Sequence, residues 1–254
     1  MRLVLPSNSS MSYFPENTLS QFTVRLDKEI DLKNHKYEVG LAEILFNNSW
    51  YNIRSCWIEV LYGEKQSTGQ LKLPDGFYGD LGLVVHEINK LIKRSPCPDN
   101  AAKLIFRSES NRVDIIMKKN FSLKMSSTLS SILGYQEQYI SPPSDTPSSY
   151  TDVLVKADRM ADINNGFHNI YIYCDICEQA PIGDTYASLL GIIPVKHEPH
   201  FTSQIIRYES PLFVPVAKTY FQTLTVYLMT DSGVPVQFEA GKTVLTLQLR
   251  KASY

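Results

Sequence analysis

YEVGLAEILFNNSWYNI, residues 37–53, is the longest apolar run of the chain and ends in an aromatic, amide-rich corner. Tyr37, Val39 and Leu41 share one parity, as a strand with one buried face requires, but the apolar phase then jumps to Ile44 and Phe46. A one-residue slip would turn Ile44 and Phe46 to the wrong side of a single-faced sheet. Either the strand is bulged at Ala42-Glu43 or both of its faces are covered, and each option describes a central strand. Asn47, Asn48 and Ser49 then supply turn chemistry, and Trp50-Tyr51 follow directly.

Upstream, Phe22, Val24 and Leu26 alternate with Thr23, Arg25 and Asp27, which predicts a half-buried strand. Residues 1–19 show little periodicity and read as a loose N-terminal arm. Downstream, CWIEVLYG (56–63) is apolar on nearly both sides and gives a third early strand. The character then changes. In QLKLPDGFYGDLGLVVHEINKLIKRSP (70–96), Leu81, Val84, Val85, Ile88, Leu91 and Ile92 recur at helical spacing behind Asp80 as cap, with Lys90, Lys93 and Arg94 at the negative end of the dipole. KLIFRS and RVDIIMKK follow as strands, and MSSTLSSILGY as a short helix between Ser126 and Gly134. Residues 141–151, SPPSDTPSSYT, hold three prolines and four serines and read as an exit linker. Beyond Ile163 the chain is β again: HNIYIYCDIC, YASLLGIIPV, SQIIRYESPLFVPV, FQTLTVYLMT, VPVQF and VLTLQLRK, separated by turn signals.

The expectation is a mainly β chain: a single jelly-roll sandwich of about eight strands interrupted by a small α+β insertion domain. The boundaries so read are an arm at 1–19, a discontinuous jelly roll at 20–63 and 156–254, and an insert at 64–155.

At 254 residues and 43% hydrophobic content the chain can bury a large core. Its 25 basic and 26 acidic side chains leave a formal charge of -1, so no overall field draws it to nucleic acid or anionic lipid, and direct nucleic-acid binding is not expected. No apolar segment is long enough to span a bilayer, and the apolar run before Pro6 is too short for a signal peptide. A protein soluble inside the cell when made is expected, so the sequons at Asn8, Asn47 and Asn120 carry little weight.

Catalysis finds little support. His197-Glu198-Pro199-His200 is the one histidine cluster and lacks the spacing of HExxH or HxH sites. Cys174 and Cys177 have CxxC spacing within a strand, where residues three apart point to opposite faces, and no second pair completes a metal set. Gly241-Lys242-Thr243 mimics the end of a phosphate-binding loop, but Val236 stands where that motif needs glycine. Lys90, Lys93 and Arg94, with Lys118 and Lys119, form the one candidate basic patch, and helix-end solvation accounts for the first three. No catalytic, cofactor or metal site is expected. Fifteen tyrosines and eleven phenylalanines suggest aromatic surface as well as core, and hence a structural or assembly role.

SQFTVRLDKEIDL followed by YEVGLAEILFNNSWYNI is similar to the minor capsid, or penton, proteins of Polinton/Maverick elements and their virophage and adintovirus relatives. The resemblance continues through LPDGFYGDLGLVVHEINKLI, LSSILGY, NIYIYCDICEQAPIGDTYASLLGIIPV and FQTLTVYLMTDSGVPVQFEAGKTVLTLQLRK, covering almost the whole chain in order. It implies a vertical single jelly roll with an inserted domain, assembled as a homopentamer at the fivefold vertices of an icosahedral capsid beside a double-jelly-roll major capsid protein. It also implies a place in the virion after synthesis in the host-cell cytoplasm, with assembly there or in the nucleus. A host protein domesticated from such an element, and a jelly-roll attachment module for a host receptor or glycan, are the alternatives. Trp50 and Tyr51, at one end of the sandwich, are the candidate subunit interface.

Overall fold

The computed structural model describes residues 1–33, 35–62, 66–98, 101–144, 151–196 and 201–252. The chain divides into two compact units: Met1–Trp50 with Phe167–Tyr254, and Tyr51–Gly166. In chain order the first unit begins with β1 (Arg2–Pro6), β2 (Gln21–Asp31) and β3 (Tyr37–Asn47). The second unit contains β4 (Trp57–Tyr62), β5 (Gln66–Ser67), β6 (Leu71–Lys72), α1 (Leu81–Arg94), β7 (Ala102–Arg107), β8 (Arg112–Lys118), β9 (Phe121–Met125), α2 (Ser127–Leu133), β10 (Tyr139–Ile140) and β11 (Asp152–Val155). The first unit resumes with β12 (Asn169–Cys174), β13 (Ala180–Ile182), β14 (Thr185–Ala187), β15 (Leu189–Pro194), β16 (Ser203–Arg207), β17 (Phe213–Pro215), β18 (Tyr220–Met229) and β19 (Val244–Lys251).

The pairing in the first unit is nested. β1 pairs β19, β2 pairs β18, β3 pairs β16 and β17, and β12 pairs β15, all antiparallel. First meets last, second meets second-last, and so inward to a central hairpin. That is the wiring of a jelly roll, with its sixth position split into β16 and β17. Two further ladders, β19 with β3 and β12 with β18, gather these strands into sheets of order β1-β19-β3-β16 and β15-β12-β18-β2. Between the sheets lies one core, including Leu5, Phe22, Val39, Leu41, Ile44, Phe46, Ile170, Ile172, Val226 and Leu247.

The phase jump read in β3 is a register slip. Thr246 pairs Glu43 and Leu247 pairs Leu41, so Ala42 is the extra residue, and its carbonyl accepts instead from the Tyr208 N–H. Leu41 and Ile44 thereby both face the core.

Three expectations need correction. The arm is not loose: Leu3 and Leu5 are buried, and β1 runs the length of a ladder with β19. Residues after it are also engaged, since the Asn17 carboxamide accepts from the Thr23 N–H and donates to the Thr23 carbonyl, closing part of the open edge of β2. Second, residues 57–62 do not join the jelly roll. Ile58, Val60 and their neighbours pair with β9, so the sandwich's third early strand is β1, and the unit boundaries fall at 50/51 and 166/167 instead of 63/64 and 155/156. Third, VPVQF forms no strand among the described residues beyond one bridge of Met229 to Pro235, because proline has no N–H to carry a ladder. The strands among the described residues exceed eight because the second unit adds its own, although the jelly roll itself has eight ladder positions.

The second unit packs α1 and α2 with two sheets, of order β10-β9-β4-β5 with β6 beside β4, and β11-β8-β7. The Asp80 carboxylate caps α1 by accepting from the Leu83 N–H, and Ser126 caps α2 at Leu129. The α1 face of Leu81, Val84, Val85, Ile88 and Ile92 is buried with Leu104, Ile115 and Met117. Residues 145–150 of the expected linker lie outside the described residues.

Candidate functional site

Trp50 is only 5% exposed. Its ring lies 5.2 Å from Phe167 and 5.9 Å from Phe238, both edge-on, and 6.3 Å from Phe46 in a stacked pose. The amide-rich corner explains this placement. Ser49 Oγ donates to the Ala240 carbonyl and Asn47 Oδ1 accepts from the Lys242 N–H, so the 239–242 turn folds down over the corner. Trp50 is thus a core residue and offers no face to a neighbour. Tyr51, in the second unit, keeps part of its ring exposed, with the Arg54 guanidinium 5.3 Å from the ring centre.

The other sequence candidates do not converge. His197 and His200 lie outside the described residues, and among the described residues no three His, Cys, Asp or Glu side chains group as a metal site. Gly241-Lys242-Thr243 forms a turn into β19, with Gly241 at φ 109°. Lys90 is paired with Glu87 at 2.8 Å, and Lys93 and Arg94 sit in the last turn of α1. Cys174 and Cys177 are both buried; β12 stops at Cys174 and the next residues turn, so the opposite-face argument for a strand does not apply.

What the reading by alternation passed over is the outside of the sandwich. Residues directly opposite in an antiparallel ladder point to the same face, so the registers define rows. On the outer face of the β1-β19-β3-β16 sheet one row runs Pro6, Val244, Leu45, Ile205. The next runs Val4, Thr246, Glu43, Arg207, in which Arg207 and Glu43 form an ion pair. Val4 is 56% and Ile205 51% exposed. At the sheet's far end Arg250 binds Glu38 at 2.8 Å and lies 3.6 Å over the Phe213 ring.

The outer face of the β15-β12-β18-β2 sheet is aromatic. Tyr171 stands between Ile192 and Met229, and Tyr173 between Leu189 and Tyr227. Ile192 is 45% and Tyr227 37% exposed, while Tyr171 and Tyr173 are half-buried by their neighbours. Burial, with Tyr171 alongside, raises the Tyr173 phenol above its ordinary pKa. Toward β2 the face turns polar, where Thr23 and Thr225 exchange a hydrogen bond at 3.1 Å. A signal for this was present: in NIYIYC both parities are apolar or aromatic, which a strand with one wet face does not need.

The second unit carries two shallow clefts of about 420 and 230 Å³ that share Tyr135 and Gln136. Ser127, Ser131, Gln138 and Arg159 contribute polar groups to the first, and Tyr139 borders the second.

No protein-family profile and no curated protein matches the chain. Among solved structures, the crystal structure of the selenomethionine-labelled mavirus penton protein superposes with a TM-score of 0.52 at 11% identity, over 99% of this chain and 98% of that one. A chain of the Sputnik virophage cryo-EM structure gives 0.47 at 9% identity, over 99% and 97%. At such identity the mavirus likeness is one of fold, and it spans both units.

Proposed function

We propose that this chain is a structural capsid protein, a penton-type subunit at the vertices of an icosahedral virion, held by contacts with copies of itself and with a double-jelly-roll major capsid protein. One observation carries the reading: a single sandwich presents an apolar row on each of its two outer faces, Pro6-Val244-Leu45-Ile205 on one and the Tyr171, Tyr173, Tyr227 cluster on the other. A two-fold contact would use one face twice and leave the other wet. A head-to-tail contact covers both faces of every copy, and with a fixed rotation it closes into a ring, here a pentamer. The fold shared with the mavirus penton protein supports the same assignment. Of the two residues expected at the subunit contact, Tyr51 retains that role in the proposal.

Light scattering on the purified chain, alone and co-expressed with a major capsid protein, tests it. A species of five chain masses is expected. A monomer under both conditions, at every concentration and absent from particles, would sink the assignment.

The clefts of the second unit favour a second role, attachment to a host glycan or receptor, since hydroxyl and carboxamide groups beside an exposed tyrosine suit a polyhydroxylated ligand. Binding on a glycan array by the intact chain, lost in Gln136→Ala, is its test.

A further inference from the structure

Cys174 ends β12, and the Cys177 N–H donates to the Cys174 carbonyl at 3.0 Å, which closes a four-residue turn through Asp175 and Ile176. Such a turn holds its first and last α-carbons within about 7 Å, the range a disulfide spans. Cys174 and Cys177 occupy the first and last positions of this turn, and both belong to the core between the sheets. Both are free thiols, 0% and 2% exposed.

The turn is fastened on every side. Asp175 Oδ1 accepts from the Thr225 N–H at 2.8 Å, and its second oxygen pairs with Lys218. The Ala217 N–H donates to the Ile176 carbonyl and the Glu178 N–H to the Pro215 carbonyl, both at 2.9 Å. Residues 215–218 are the strap that leads from β17 in one sheet to β18 in the other. A cavity of about 620 Å³ opens beside this strap, lined by Glu178, Pro215, Val216, Ala217 and Lys218 among others, and Cys177 bridges to Val216. The pair is therefore one strap away from a space large enough for a small thiol reagent.

We infer that Cys174 and Cys177 form a reversible intrachain disulfide when the chain passes from a reducing to an oxidising medium, the oxidant being a low-molecular-weight disulfide such as oxidised glutathione. The Cys177 thiolate attacks one glutathione sulfur and expels the other as a thiolate. The Cys174 thiolate then attacks the Cys177 sulfur of the mixed disulfide and expels the second glutathione. Two protein thiols and one oxidised glutathione become one protein disulfide and two reduced glutathiones, two electrons passing from protein to reagent. The contact with Cys174, reinforced by burial, keeps Cys177 protonated, so the exchange waits on opening of the turn and runs faster at alkaline pH. Once closed, the bond locks the turn on which the strap between the two sheets is fastened. The inference is independent of the assembly reading, because it concerns a single copy.

The test uses the unassembled wild-type chain, incubated with oxidised glutathione at pH 8, acid-quenched, unfolded and alkylated. The peptide containing residues 174–177 is expected to lack alkyl groups and to be lighter by about 2 Da, with Cys56 and Cys97 alkylated. The thermal midpoint of the oxidised protein should rise by about 3 °C or more and return on reduction. Cys177→Ser should abolish that rise. Two alkylated cysteines after prolonged oxidation, a lasting glutathione adduct, or an undiminished rise in Cys177→Ser would each overturn the inference.

Discussion

The carboxamide of Asn47 lies directly against the α-carbon of Gly241: a methyl group on Gly241 would stand 2.4 Å from Asn47 Oδ1 and 2.7 Å from its Cβ. Rotating the Asn47 side chain cannot relieve the second contact, and Gly241 adopts φ 109°, which L side chains rarely tolerate. Gly241→Ala should therefore destabilise the first unit by about 1–3 kcal/mol in urea unfolding. A loss no larger than a surface substitution gives would show that the corner under the 239–242 turn is slack.

The neighbouring corner residues should separate cleanly. Trp50 fills an aromatic cluster with Phe46, Phe167 and Phe238, so Trp50→Ala should cost about 3–5 kcal/mol. Tyr51→Ala removes a half-exposed ring and its contact with Arg54, a loss under about 1.5 kcal/mol. Paired unfolding curves check both. If Tyr51 serves assembly, its variant should fold and yet associate more weakly.

Outer-face variants test the head-to-tail arrangement. Ile205→Asp and Tyr227→Asp each place a charge on one exposed surface and should change stability by about 1 kcal/mol or less. Each alone should be monomeric in sedimentation. Mixed, they should form one-to-one pairs, because one keeps the aromatic face and the other the aliphatic face. If either variant still self-associates in pairs, the contact is two-fold and no ring is built this way.

Acid should loosen the joint between the β12 start and the β18 end. Burial alone would raise the Asp231 pKa, but bonds from the Asn169 side chain, the Asn169 N–H and the His168 N–H outweigh it and hold the pKa below the usual aspartate value of 3.8. A depressed folded-state pKa contributes stability that is present above the unfolded value and is lost as pH falls through the folded one. Asp231→Asn should thus lower the midpoint at pH 7 and flatten its decline below about pH 4. Equal acid slopes for variant and parent, measured by thermal melts from pH 7 to 2, would assign the acid loss to other carboxylates.

How much was legible follows from what alternation encodes. The break of phase between Leu41 and Ile44 has only two physical causes, and one of them, an extra residue at Ala42, is present. Asp80, Ser126 and Gly134 announce helix ends through local bonding, so both helices stand where the residues put them. The order of partners was less accessible. In RLVLP just two side chains point inward, and the strand that pairs with them, β19, lies at the opposite end of the sequence. Residues 57–62 alternate as well as any sandwich strand, but alternation reports that a face is buried and not which sheet buries it; their partner is Phe121–Met125. Trp50 was misread because an aromatic beside Asn-Asn-Ser suggests a wet corner, whereas the Asn47 and Ser49 side chains bond the 239–242 turn and the indole is buried. The outer tyrosines were readable in NIYIYC as a second covered parity, yet only the ladder registers reveal which rows they join.

β19 lies between β1 and β3, and so both of those strands must wait for it. During synthesis the second unit has its core complete by Gly166, while Leu3, Leu5, Val39 and Ile44 still lack the strand they pair beside. The sheet closes only after residues 244–251 leave the ribosome, and until then its apolar edges are open to wrong neighbours. In a cell making many copies at once, the yield of native chain should depend on holdase chaperones acting on the first fifty residues.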